Sequence, residues 1–251
     1  VLDPSNWHAR FSQQAAWTSE LRHFLYQQLH FEHARTVLEV GCGTGAVLKD
    51  LDNQLQTTKI YGLDLNEPFL TLARTQAASV LLTSGDALAL PYADHSFDIG
   101  LCHFFLLWAG QPLKALQEMR RVTRPGGLVC AMAEPDYGGR IDYPEALIEL
   151  GQMQTQSLQR QGADPFLGRR LPELFIQSGL QNVQSGLLGG YWNGLFDEEK
   201  LTSEWAVFRH DLQDVISEQA LSGLQALDTR AWQEGKRVLF VPTFYAWGQV
   251  P

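Results

Sequence analysis

Short apolar runs alternating with helical segments predict an α/β fold, in which a mainly parallel sheet is covered by helices on both faces. Three observations carry this expectation. Five runs, at 36–41, 59–64, 80–83, 97–102 and 127–133, are short, apolar and often β-branched. The stretches 46–51, 67–77 and 112–122 between them carry apolar residues at helical spacing. The first run also stops abruptly at a glycine cluster, so strand, tight turn and helix follow one another within about fifteen residues.

The flanking segments are read the same way. Residues 5–30 place Phe11, Ala15, Leu21, Leu25 and Leu29 at helical spacing with no glycine or internal proline, which predicts one helix or a pair. Beyond Glu134 helices are expected at about 144–161 and 168–178, then a strand at 182–188 after Gly179 and an extended run at 237–247. Between those two runs, residues 192–236 read as a helical insertion or lid, charged on one side with Trp205, Phe208, Leu212 and Ile216 on the other. No internal repeat or low-complexity tract interrupts this order.

The bulk numbers exclude several classes. The chain has 251 residues and a formal charge of −9, from 19 Lys+Arg against 28 Asp+Glu. Nucleic-acid affinity rests on clustered cations that neutralise phosphate, and the one dense basic stretch, Arg120, Arg121 and Arg124, ends a helical segment where exposure and the helix dipole account for it. Cys42, Cys102 and Cys130 lie in or beside strands without CxxC spacing, so they read as small buried residues rather than zinc ligands or disulfide partners. No apolar run approaches the ~18 residues of a membrane span, and no secretory pattern opens the sequence, so a cytoplasmic location is expected.

The glycine cluster is the most informative segment. Gly41, Gly43 and Gly45 stand at alternate positions where a strand meets a helix, which suits positive φ and lets the backbone approach a ligand held at the helix N-terminus. A dinucleotide fingerprint needs its third glycine five residues after its first, and Ala46 stands there. Glu39, two residues before the first glycine, would repel a pyrophosphate but suits a cationic amino group. An NAD-dependent oxidoreductase is the alternative these two features oppose. Asp64 ends the second strand, where a carboxylate can accept both hydroxyls of a ribose; it could instead cap the helix that starts near Glu67.

Residues 36–134 resemble the class I S-adenosylmethionine-dependent methyltransferases, and within them the subgroup that includes ubiquinone and menaquinone biosynthesis enzymes. Val37-Leu38-Glu39-Val40-Gly41-Cys42-Gly43-Thr44-Gly45 is similar to the family's first motif. Gly62-Leu63-Asp64-Leu65 resembles its ribose motif, and Gly85-Asp86-Ala87 its adenine motif, in which Asp86 would accept from the exocyclic amine and the Ala87 N–H would reach the ring. Leu90 to Asp98 resembles the loop before the fourth strand, and Arg121-Val122-Thr123-Arg124-Pro125-Gly126-Gly127 the turn before the fifth. Cys102 and His103 fall where a backbone carbonyl holds the methionyl ammonium. The resemblance implies a Rossmann-like, seven-stranded sheet whose seventh strand inserts antiparallel between the fifth and sixth. It implies three regions: an N-terminal helical cover over 1–35, a cofactor-binding core over 36–134, and a substrate-side part over 135–251 holding the last two strands and the insertion. Pro242, inside the expected final strand, would then form a bulge.

The implied reaction moves a methyl group from S-adenosylmethionine to an O, N, S or C atom of a small molecule, leaving S-adenosylhomocysteine. No metal is expected. No carboxylate cluster ends the fourth strand, which opposes a metal-dependent catechol enzyme, and Cys102-His103-Phe104-Phe105 differs from the Asp/Asn-Pro-Pro-Tyr tetrad of amine and amide methylators. His103 is the candidate general base, or else a residue that shapes the pocket. Trp108, Glu134, Tyr137, Tyr191 and Trp192 are candidate substrate contacts, with Phe196 and Trp205 as further aromatic walls and Gly138-Gly139 as a hinge; core packing accounts for Tyr191, Trp192, Phe196 and Trp205 singly at least as well. Trp7, Arg10 and Trp17 could close over the methionyl end, although Arg10 reads more simply as a solvated surface charge. A non-catalytic protein that keeps the adenosylmethionine pocket for regulation remains open, and so does monomer or homodimer.

Overall fold

The structure is a computed structural model, and it describes residues 4–188 and 197–251. The N-terminal stretch folds as a pair of helices, α1 (Pro4–Trp17) and α2 (Ser19–Gln28). The core then alternates as β1 (Thr36–Val40), α3 (Ala46–Gln54), β2 (Lys59–Asp64), α4 (Glu67–Gln76), β3 (Leu81–Ser84), β4 (Phe97–Cys102), α5 (Pro112–Val122) and β5 (Thr123–Pro135). A short strand β6 (Ile141–Tyr143) leads to α6 (Ile148–Arg160), α7 (Leu171–Gln177), β7 (Gln181–Leu188), α8 (Glu198–Leu212), α9 (Glu218–Gln233), β8 (Val238–Phe240) and β9 (Thr243–Gln249).

Seven strands form one sheet in the order β3-β2-β1-β4-β5-β9-β7. The pairs through β5 are parallel, while β9 runs antiparallel to both β5 and β7. Period-two alternation sorts the apolar residues to opposite faces. Val37, Leu101 and Cys130 join the core under α2 and α3, whereas Leu38, Cys102 and Ala131 join the core under α5 and α7. Both faces are covered, which explains the continuous burial from Val37 to Val40. All three cysteines are free and buried. No helix among the described residues is long and apolar enough to cross a membrane.

Pro242 behaves differently from the expected bulge. It lies between two strands: β8, ending at Phe240, pairs with β6 in a separate two-stranded sheet, and β9, starting at Thr243, enters the main sheet. A proline lacks the N–H a continuous ladder would need, so the chain changes sheets there. The basic stretch is also more engaged than its composition suggests. Arg121 pairs with Glu118 at 2.8 Å and Asp94 at 2.7 Å and donates to the carbonyls of Leu90 and Tyr92, bracing the loop before β4.

The insertion folds as the helix pair α8 and α9, which shares a third apolar cluster with α6, built from Leu150, Trp205, Phe208, Leu212 and Leu221. A buried ionic network fastens it. Arg237 donates to Asp228 at 2.6 Å and to Asp142 at 2.8 Å, and Arg140 pairs with the other Asp142 oxygen at 2.6 Å. The indole N–H of Trp205 donates to the second oxygen of Asp228 at 2.9 Å. Of the two readings open for Trp205, cavity wall or core, the structure takes the core, with the indole as an anchor.

Candidate active site

The strand order reverses between β1 and β4, and open α/β sheets bind ligands in the crevice at the carboxyl ends beside such a switch. A cavity of about 560 Å³ opens there, within the range of roughly 300–1,000 Å³ usual for small-molecule sites.

Its floor is the glycine turn. Gly41, Gly43 and Gly45 have φ of 72°, 52° and 83°, in the left-handed region that side chains disfavour. A Cβ on Gly41 would lie 2.2 Å from the Phe105 ring, so this position also lacks room for a side chain. The Gly41 and Cys42 amides donate to the Leu63 carbonyl at 2.8 and 3.0 Å, and the Gly43 amide donates to Asp64 Oδ2 at 2.8 Å. Gly41, Cys42 and Gly43 line the cavity. Gly45 does not: it precedes α3, and its missing Cβ lets Ala73 of α4 pack at 3.0 Å.

Asp64 and Leu65 line the cavity as well. The second Asp64 oxygen accepts from the Asn66 amide at 2.8 Å, whereas α4 is capped by the Asn66 side chain, which accepts from the Phe69 amide at 3.2 Å. The helix cap is Asn66, and Asp64 is left to the turn and the cavity. Gly85, Asp86 and Ala87 form the next part of the wall, with Asp86 Oδ1 holding the Leu88 amide at 2.8 Å.

Glu39 lies on the same cavity at 2% exposure, and one of its oxygens has no hydrogen-bond partner among the described residues. Burial pushes its carboxyl well above the usual carboxylate range, opposed by nearby Arg22. A buried carboxylate with an unpartnered oxygen, on a cavity, is ready for a cationic ligand.

His103 follows β4 and lines the cavity, while Cys102 is fully buried in the core and contributes no lining. His103 Nε2 lies 2.7 Å from the Thr18 hydroxyl, which has the Gln14 carbonyl at 3.0 Å to donate to. With the Thr18 proton given to Gln14, Nε2–H would be the donor and Nδ1 the basic nitrogen. Burial, with Arg22 nearby, holds the imidazole pKa well below its ordinary value.

Helix α1 forms the roof. Trp7, Arg10, Phe11 and Gln14 face the cavity at helical spacing, and His8 Nδ1 meets the Thr44 hydroxyl at 2.8 Å, pinning the helix to the glycine turn. Trp17, expected to join them, is exposed and outside the lining. Arg10 is 9% exposed, not the solvated charge expected. Phe11 and Gln14 lacked any signal beyond that spacing.

Leu107 and Trp108 of the turn after β4 and Tyr137 also line the cavity, together with Leu158 and Gln161 at the end of α6 and Val207 and Asp211 of α8. The last four were not singled out from sequence because they lie on distant helices. Glu134 is a correction. It is fully buried with both oxygens turned away to the backbone, accepting from the Phe105, Leu106 and Leu107 amides at 2.9, 2.8 and 3.2 Å, and so it holds the turn that carries Trp108. The Gly138-Gly139 hinge is a second correction. Asp136 accepts from the Gly138 amide at 3.0 Å and pairs with Arg169, and a Cβ on Gly138 would meet Arg169 and Phe166 within 2.7 Å, so close packing, not mobility, requires glycine there. Tyr191, Trp192 and Phe196 lie outside the described residues. Among the described residues, metal-capable side chains converge only at His30, Glu32 and His33, which are exposed and outside the cavity lining.

Residues 38–131 match the methyltransferase domain family. The chain is 28% identical over 202 residues to a demethylmenaquinone methyltransferase of Oceanobacillus iheyensis, covering 72% of this chain and 83% of that one. Among solved structures it resembles phosphoethanolamine N-methyltransferase 2 of Haemonchus contortus, solved with phosphomonomethylethanolamine and S-adenosylhomocysteine, at 14% identity and a TM-score of 0.61, covering 97% of this chain and 58% of that one. The cyclase SpnF has the same fold at 19% identity and a TM-score of 0.53, covering 86% and 75% of the two chains. Fold alone therefore spans more than one chemistry, and the family match carries the assignment. The chain carries a methyltransferase domain over residues 38–131, is related to the demethylmenaquinone methyltransferases, and is an S-adenosylmethionine-dependent methyltransferase.

Proposed function

We propose that the cavity holds S-adenosylmethionine along the glycine turn and the ends of β2 and β3, and the methyl acceptor between α1, Tyr137, α6 and α8. The observation that carries this is a single continuous cavity lined at one end by Glu39, Gly41, Gly43, Asp64 and Asp86 and at the other by Trp108, Tyr137 and Gln161. The residues fit the cofactor. Glu39 offers an unsatisfied buried carboxylate oxygen to an ammonium, and the turn offers a backbone surface without Cβ atoms. Each Asp64 oxygen holds one backbone amide and keeps a lone pair for a ribose hydroxyl.

When bound, S-adenosylmethionine supplies a sulfonium methyl group already activated for transfer, so the protein's task is alignment, to which orientation can contribute up to roughly 7–11 kcal/mol. Helix α1 excludes water from above. His103 would take a proton from a hydroxyl or carbon acid through Nδ1, its ring held by Thr18. An amine or thiolate acceptor would need no base. The same reading has the protein working in the cytoplasm without a metal ion, as a monomer or homodimer.

Titration calorimetry with S-adenosylmethionine and NAD tests the cofactor: micromolar binding of the first and none of the second is expected, and the reverse overturns the reading. Incubation with cofactor labelled in its methyl group and a metabolite extract tests the transfer. Absence of any labelled small product from broad extracts, with cofactor binding intact, would make the protein a binding module.

A further inference from the structure

Arg10 is the one Lys or Arg lining the cavity among the described residues, and its setting is unusual for an arginine. It is nine-tenths buried, and among the described residues it makes no hydrogen bond and no ion pair. A guanidinium carries five donors in a planar fork, and burying it unpaired costs several kcal/mol on the usual scale. Among the described residues, its donors face only the cavity.

Its position separates it from the cofactor end. Phe11 covers Gly43, and Arg10 lies one residue, roughly 100°, further round α1. The groups that feel its charge are Tyr137, Glu204 and Asp211, on the turn after β5 and on α8. The charges acting on Glu39 are instead Arg22, Asp64 and Asp50. Neither acid facing Arg10 neutralises it by contact. Asp211 Oδ1 accepts from Gln161 Nε2 at 3.0 Å, and burial raises both Asp211 and Glu204 toward their neutral forms. The lining of the cavity also includes the apolar Leu107, Trp108, Leu158 and Val207 beside Gln14 and Gln161, and the Tyr137 hydroxyl makes no hydrogen bond among the described residues.

Resting on the methyltransferase reading, we infer that the methyl acceptor is a flat, largely apolar molecule bearing a carboxylate, and that Arg10 grips that carboxylate with Tyr137 as a second donor. The planar fork matches two carboxylate oxygens at once, and an anion restores the pairing the buried guanidinium lacks. Leu107, Trp108 and Leu158 take the body of the molecule, and discrimination comes from Arg10, because an uncharged isostere leaves its donors unpaired.

The test uses the full chain saturated with S-adenosylhomocysteine and titrated with matched pairs, 4-hydroxybenzoate against 4-hydroxybenzamide and indole-3-acetate against indole-3-acetamide. Wild type is expected to prefer the acid of at least one pair by tenfold or more, R10Q to bind acid and amide within twofold of each other, and R10K to keep part of the preference. Affinity for S-adenosylhomocysteine should change by less than threefold in both variants, with melting curves showing that each is folded. A tenfold loss of S-adenosylhomocysteine affinity in R10Q would assign Arg10 to the cofactor's own carboxylate and overturn the inference. Wild type that binds S-adenosylhomocysteine without preferring any acid would overturn it and leave the methyltransferase reading standing. Failure to bind S-adenosylhomocysteine at all would bring down both.

Discussion

Replacing Asp64 with alanine separates two jobs that the structure gives to one carboxylate. Its oxygens hold the Gly43 and Asn66 amides, each at 2.8 Å, and each keeps a lone pair toward the cavity. Two ribose hydroxyls donating to those lone pairs would form charge-assisted bonds of about 1.5–3 kcal/mol apiece. Water fills part of the gap in the variant, so the expected net loss in binding S-adenosylhomocysteine is about 3 kcal/mol, roughly 150-fold at ~1.4 kcal/mol per decade. The unliganded protein should lose less, about 1–2 kcal/mol for the Gly43 amide left without its acceptor, or roughly 2–8 °C in melting temperature for a chain of this size. Asp64→Asn, which keeps an acceptor oxygen but no charge, should fall between the two. Calorimetric titration gives the first quantity and a melt without ligand the second. A variant that melts lower yet binds S-adenosylhomocysteine within threefold of wild type would refute the ribose assignment and leave Asp64 only a brace for the turn.

Three further outcomes are expected. His103→Gln should lower turnover about a hundredfold if the acceptor loses a proton. Because burial depresses the folded pKa of this histidine below its ordinary 6.5, its contribution to stability is complete above about pH 6.5 and is lost as the pH falls below it; urea titrations of wild type should show that loss and the glutamine variant should not. Glu134 runs the opposite way. Burial pushes its carboxyl from 4.5 up to about 7, so stability should fall by a few kcal/mol as the pH rises through that window, at roughly 1.4 kcal/mol per unit, and a flat profile in wild type would contradict it; Glu134→Gln should remove the slope. Asp228→Ala leaves Arg237, itself 1% exposed, without its 2.6 Å partner, and should destabilise the protein by about 3–5 kcal/mol in denaturant unfolding, a loss below 1 kcal/mol counting against the network.

Much of the frame was legible in the residues themselves. Strand and helix periods are local properties, so the alternation from Thr36 to Pro135 is written in consecutive positions and required no knowledge of the packing. The glycine turn is local in the same sense, since positive φ and the absence of a Cβ are demands on single residues. So is the antiparallel final strand to the extent that the family resemblance supplied it. Asp64 was readable as a strand-end carboxylate, but its choice between cap and cavity was settled by the neighbour two residues on, when Asn66 took the cap.

What depended on tertiary structure is every question of which distant side chains meet. Glu134 and Trp205 look like site residues in sequence, a carboxylate and an aromatic beside a strand end and on a lid; three backbone amides claim one and Asp228 the other. Arg10 looks like a surface charge on an amphipathic helix, and it is buried because His8 and Thr18 tie α1 across the cavity to Thr44 and His103. Leu158, Gln161, Val207 and Asp211 carry no local mark at all. By itself the sequence determined the alternating core and the glycine turn that lines the cavity, because backbone geometry is specified residue by residue. The rest of the cavity lining was decided only when helices from both ends of the chain closed over the sheet, because burial and pairing between remote segments are properties of the packed molecule.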